Sequence, residues 1–253
     1  MHKKITKTKD SNFFTITEGI TMTINPRLKL IYFKMRALAE PPQILMHAAG
    51  IKYEYLMAWE YFGKPWNEAK KNVVFKQLPI LVINETDTIA QSGSILRYLA
   101  ELSGMMPKDL VSIHKADAIL EAAQEMFAPL NPTINFSIGA DYEAKSIKML
   151  PGLESKVNDF ERLLALEPDT PFFMGNTPSH CDFSVYHHVS MAQFMHPNIL
   201  NNALHLKQLL IAVESLPGVQ EYLNQRPNLI DVGREPKLVI NGRPVPTGVL
   251  HTD

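Results

Sequence analysis

Gln77-Leu78-Pro79-Ile80-Leu81-Val82-Ile83-Asn84-Glu85-Thr86-Asp87-Thr88-Ile89-Ala90-Gln91-Ser92 is the stretch whose reading decides the fold. Pro79–Ile83 is an apolar run, Asn84–Asp87 carries turn chemistry, and Thr88–Gln91 resumes a strand, so the pattern predicts a β-hairpin. Ser92 then stands as an N-cap before Ile95, Leu96, Leu99 and Leu102, an apolar set at helical spacing closed by Gly104. Free N–H groups and the positive end of the macrodipole converge where such a helix begins, which suits an anion of carboxylate size. The Ser92 hydroxyl and the Gln91 amide can add to it. Pro79 opens a strand, where proline is tolerated, and a cis bond before it would turn the Leu78 main chain outward to pair with a peptide ligand. Taken alone, the same residues also describe an ordinary hairpin and a capped helix.

Outward from this stretch, Leu28–Phe33 reads as a strand, Ala39-Glu40-Pro41-Pro42 opens a helix that closes at Gly50, and Tyr53–Met57 reads as a second strand. A loop-rich stretch holding Trp59 and Trp66 separates these from the hairpin. The order β-α-β-β-β-α, with a right-handed crossover between the first two strands, gives a four-stranded mixed sheet of thioredoxin-like arrangement over residues 28–105. After Gly104-Met105-Met106-Pro107 the character changes to long helical patterns over residues 106–230, the first through Ile113, Ala116, Leu120, Ala123, Phe127 and Leu130. A second is expected over Asp141–Leu166, interrupted or kinked at Pro151-Gly152, a third after Ser179, and others over Asn202–Glu214 and Pro217–Gln225. Residues 231–253 are rich in proline and glycine and read as a looped tail, with a small hairpin around Asn241-Gly242.

The chain has 253 residues, enough for two domains with cores of their own. A formal net charge of −1 and 20% charged residues give no electrostatic reason to expect a nucleic acid or an anionic membrane as partner. The single cysteine, Cys181, excludes an intrachain disulfide and fits a reducing, cytoplasmic compartment. No apolar run approaches the roughly 20 residues of a membrane helix, and Met1–Thr23 lacks the apolar core of a signal peptide. Lys3, Lys4, Lys7 and Lys9 make that end basic, but a transit peptide would favour arginine, so residues 1–27 read as a mobile extension.

A thioredoxin-like unit followed by an all-helical one, with Gln77-Leu78-Pro79 and Gln91-Ser92 in these places, resembles the cytosolic glutathione transferases. The run Tyr32-Phe33-Lys34-Met35-Arg36-Ala37-Leu38-Ala39-Glu40-Pro41 is similar to the Tyr-Phe-x-x-Arg-Gly-Arg-Ala-Glu-Pro opening of the tyrosine-dependent classes, sigma in particular. Trp66, Lys70 and Gln77 fall at the family's separations of four and seven. The resemblance implies that Tyr32 is the catalytic tyrosine, with Arg36 as the remaining cation of the opening motif. Trp66 and Lys70 would hold the glycine end of glutathione, Gln77 with the Leu78-Pro79 main chain the cysteinyl part, and Gln91 with Ser92 the γ-glutamyl carboxylate. Asp117 would reach the ligand of the other subunit of a homodimer. Two departures from the pattern matter, Leu38 in place of the second arginine and Lys76 in place of the glycine before Gln77, and Pro42 and Gln43 also differ from the common Ile-Arg.

A thiol with a pKa near about 8.5 is only a few per cent ionised at neutral pH, so an enzyme that uses it must favour the thiolate. A phenol at the end of a strand can donate its O–H to the sulfur anion, and each pKa unit gained corresponds to about 1.4 kcal/mol. The expected reaction is addition of the glutathione thiolate to small hydrophobic electrophiles, with glutathione as co-substrate and no tightly bound cofactor. Arg36, Leu38, Phe127, Asn131 and parts of the tail are candidates to line the electrophile pocket. The same resemblance allows a glutathione-dependent isomerase, such as a prostaglandin D synthase, or a carrier or crystallin-like structural protein. Ser179-His180-Cys181-Asp182 reads as a capping box and Cys181 as a buried structural thiol. His180, His187, His188 and His196 form no recognised ligand pattern, so no metal is expected.

Overall fold

The computed structural model describes residues 26–229 and 232–235, and the backbone alone of 238–240 and 243–245. Most of the extension expected over 1–27, and the end of the tail, lie outside the described residues.

The first half runs β1 (Leu28–Tyr32), α1 (Glu40–Ala48), β2 (Glu54–Met57), α2 (Ala58–Phe62), α3 (Trp66–Ala69), two 3-10 turns (Lys70–Asn72 and Val74–Lys76), β3 (Ile80–Ile83), β4 (Asp87–Ala90) and α4 (Ser92–Ser103). The sheet order is β2-β1-β3-β4. β1 is parallel to β2, with Tyr32 opposite Met57, and antiparallel to β3, which pairs antiparallel with β4. Every residue of β3 is buried, as an unbroken apolar run requires of a strand covered on both faces, whereas Asp87 and Thr88 of the edge strand β4 are exposed. The hairpin turns through Asn84 and Glu85 at φ of 51° and 67°, the left-handed pair that matches strand twist. Arg27 closes it, donating its N–H to Asn84 Oδ1 and accepting from the Asn84 N–H. Pro41 and Pro42 sit in the first turn of α1, where an N–H has no intrahelical acceptor to lose.

Some local readings change. The expected loop-rich stretch folds into α2, α3 and the two tight turns. β4 ends at Ala90, one residue earlier than read, because Gln91 turns to φ 71°. Gln91 is therefore the N-cap residue, and Ser92 is the first helical residue, with its hydroxyl accepting from Gln124 Nε2 at 3.4 Å and not capping.

The second half comprises α5 (Leu110–Phe136), α6 (Gly139–Leu164), α7 (His180–Met195), α8 (Leu204–Glu214) and α9 (Val219–Gln225), followed by the antiparallel pair β5 (Leu238–Ile240) and β6 (Arg243–Val245). Helix α5 continues through Pro129 and Pro132 because its apolar stripe, from Ala116 to Ile134, stays packed; Asn131 lies between the two prolines and Phe136 beyond them. Helix α6 likewise continues through Pro151 without interruption. Helix α7 is buried on nearly all sides and touches α5, α1 and α4, so it joins the halves. Its capping box forms as read, with Asp182 accepting from the Ser179 N–H at 2.7 Å and from the Phe173 N–H at 3.0 Å. Cys181 is fully buried, and burial, followed by the neighbouring Asp182 charge, pushes its thiol up and keeps it inert. Among the described residues no helix is long and apolar enough to cross a membrane, and no group of acidic, histidine and cysteine residues could hold a metal ion.

Candidate active site

The end of β1, the start of β3 and the start of α4 meet at a cleft of about 330 Å³. Tyr32, Trp66, Gln77, Leu78, Pro79, Gln91 and Ser92 all line it, so seven of the ten residues singled out in the sequence converge although they come from separate elements. The Leu78–Pro79 peptide is cis. Gln91 Nε2 donates to Gln77 Oε1 at 3.3 Å, linking the two ends of the hairpin across the cleft. Gln91, with φ 71°, is held in a conformation that a side chain rarely adopts, and such residues gather at functional sites.

Tyr32 is 4% exposed. Burial raises its pKa, with the Leu38 backbone N–H opposing, so the phenol keeps its proton throughout the neutral range. A protonated phenol at a cleft wall is a hydrogen-bond donor for an anion. Phe33 packs on Tyr32 with ring centroids 5.5 Å apart and meets the edge of Trp66 at 5.6 Å, fixing the indole against the same wall. Leu38, Asn131 and Phe136 also line the cleft, so both halves of the chain contribute to its wall.

The other three residues stand elsewhere. Lys70 is exposed on the turn after α3 and is not part of the lining. Arg36 turns away from Tyr32 and donates to the Pro227 carbonyl. Asp117 is engaged within its own chain: Arg97 Nε donates to its Oδ1 at 2.7 Å and His180 Nε2 lies 2.9 Å from the same oxygen. Burial alone would raise Asp117, but Arg97 and then His180 outweigh it and hold the carboxyl below its usual range. Phe127, expected in the pocket, is stacked on His188 at 4.0 Å inside the helical core.

Six lining residues were missed by sequence reasoning: Phe33, Met35, Val74, Lys76, Ala90 and Phe136. Lys76 was read only as a departure from a pattern; the φ of 53° it adopts is the geometry that a glycine would serve there. That coincidence was the available signal, since the turn carries the side chain to the cleft.

The family description "Glutathione S-transferase, N-terminal domain" matches residues 28–101, and "Glutathione S-transferase, C-terminal domain" matches residues 140–226. Glutathione S-transferase 1 of Ascaris suum is 26% identical over 207 residues, covering 80% of this chain and 98% of its own. Glutathione S-transferase P of Caenorhabditis elegans is 27% identical, covering 79% of this chain and 93% of its own. A solved glutathione S-transferase of Caenorhabditis elegans superposes with a TM-score of 0.68 at 28% identity, over 80% of this chain and 99% of that one. With both domain descriptions together covering more than half of its length, the chain belongs to the glutathione S-transferase family and is an enzyme of that kind.

Proposed function

We propose that Tyr32 stabilises the thiolate of bound glutathione, which then adds to small hydrophobic electrophiles seated against Leu38, Asn131 and Phe136. The observation that supports this most is the buried, protonated Tyr32 phenol on a cleft shared with Gln77, Gln91 and Ser92. Its O–H donates to the sulfur anion and lowers the thiol pKa, while the open amides at the start of α4 receive the γ-glutamyl carboxylate. Trp66, Gln77 and the Leu78-Pro79 main chain hold the remainder of the peptide. Lys76, which lines the cleft, takes the role first assigned to Lys70 and neutralises the glycine carboxylate. The opening run from Tyr32 to Pro41 favours a tyrosine-dependent, sigma-like member.

We further propose a cytoplasmic homodimer. Val74 and Phe75 project from the turn before β3, Phe75 at 66% exposure. Between α5 and α6 lies an apolar groove of about 560 Å³, lined by Met126, Pro129, Pro132, Met149 and Leu153. A second copy, with its own projecting Phe75, is the occupant that fits both features at once. Sedimentation of Phe75→Ser should show a shift toward monomer; an unchanged sedimentation coefficient rejects this interface.

The test of the catalytic reading is glutathione conjugation to a generic aromatic electrophile across pH. Wild type should turn over at neutral pH, and Tyr32→Phe should lose most of that rate and regain part of it as pH rises. Glutathione binding without turnover by the wild type would instead favour a carrier or a narrowly specific isomerase.

A further inference from the structure

Arg36 and Arg226 face a second cavity, of about 250 Å³, on the far side of the connection between β1 and α1. Met35, Tyr55, Met57 and Tyr222 supply its apolar walls. The charges inside do not cancel. Glu40, 4% exposed, is the carboxylate of this cavity, and each of its oxygens already accepts a hydrogen bond: Oε1 from Arg226 Nη1, and Oε2 from the Tyr222 hydroxyl at 2.9 Å. Among the described residues, Arg36 has the Pro227 carbonyl as its hydrogen-bond partner and no carboxylate within ion-pair distance.

A guanidinium carries five N–H donors in a planar fork, so most of the donor capacity of Arg36 is uncommitted. Its pKa is lowered, first by burial and then by the Arg226 charge, with Glu40 opposing: two cations share one counter-charge. A partly buried cation short of acceptors is costly, and a bound oxyanion removes that cost through charge-assisted, bidentate hydrogen bonds.

We propose that this cavity is a binding subsite for a small organic anion, with its oxyanion head on Arg36 and Arg226 and an aromatic or aliphatic body against Tyr55, Met57 and Tyr222. Carboxylates and phosphate esters share the required chemistry. Met35 lines both this cavity and the Tyr32 cleft, so the two sites are back to back. The subsite does not depend on glutathione being the ligand of the cleft.

The experiment is calorimetric titration of the full chain with phenyl phosphate, with benzoate, and with benzyl alcohol as the neutral control, each with and without saturating S-methylglutathione. The anions should bind in both conditions and the alcohol in neither. Arg36→Gln keeps a donor for the Pro227 carbonyl but removes the fork, and should weaken anion binding at least tenfold. Gln43→Glu places a carboxylate on the cavity wall and can still accept from the Tyr53 hydroxyl as Gln43 does; it should weaken binding similarly with both arginines intact. Preference between phenyl phosphate and benzoate then tells a phosphate ester from a carboxylate, and either supports the subsite. Absence of anion binding by the wild type, displacement by S-methylglutathione, or unchanged affinity in either folded variant overturns it.

Discussion

The connection between β1 and α1 has two faces that differ in almost everything except their place in the chain. On one side, Tyr32 is a neutral buried donor at a cleft whose walls come from the hairpin, α4 and α5. On the other, Arg36 is a cation in a cavity closed by α9 and the residues after it, chiefly Tyr222, Arg226 and Pro227. Met35 separates them. Two residues four positions apart, from what reads as one motif, thus line different cavities with different chemistry. A shared motif shows that a segment folds in a known way; it does not show that every polar residue in it serves one site.

The largest expected effect breaks the Arg36 side. Glu40→Gln leaves Arg226, whose side chain is 15% exposed, without its carboxylate and beside a second arginine. Removing one partner of such a buried pair costs about 3–5 kcal/mol, so the denaturation midpoint should fall steeply. A loss below about 1 kcal/mol would mean that the pair is solvated and that the two faces are more alike than drawn.

The next effect is on the Tyr32 side and lies in catalysis. Tyr32→Phe removes the donor but keeps the ring packed on Phe33, so stability should change little while the pKa of bound thiol rises by about 1 to 2 units, worth about 1.4 to 2.7 kcal/mol. Ultraviolet titration of the bound thiolate reads this directly. An unshifted thiol pKa would transfer thiolate stabilisation to the backbone N–H groups around the cleft.

Most of the fold was legible because its signals are local. An apolar run, turn chemistry and helical spacing specify the hairpin and α4 without reference to the rest of the chain, and the same holds for the Ser179–Asp182 box. The cleft was legible where its residues sit at strand ends, since Tyr32, Leu78 and Pro79 are placed by the sheet itself. What could not be read is set by long-range packing. Arg36 is oriented by a carbonyl 191 positions away, and Phe127 lies in the helical stripe as expected but is turned onto His188 by the docking of α7. The loop-like stretch before the hairpin folded into short helices because Ala58, Ala69 and Val73 are buried among other elements, a tertiary effect that local propensity does not carry.

The smallest effect sharpens the comparison from the cleft side. Lys76 follows Phe75 in the left-handed region, at φ of 53° after 58°, where a side chain costs about 1–2 kcal/mol and glycine does not. Lys76→Gly relieves that strain, but glycine also gains conformational freedom in the unfolded chain, so the net gain in stability should be under about 1 kcal/mol. The same substitution withdraws a cation from the cleft. If Lys76 neutralises the glycine carboxylate, KM for glutathione should rise several-fold with kcat nearly unchanged, the pattern of lost uniform binding. Lys70→Ala, on the exposed turn, should leave KM as it was. A variant that is more stable yet binds glutathione more weakly would show that the lysine is kept at this strained position for the ligand; a stability gain with unchanged KM would return that role to Lys70.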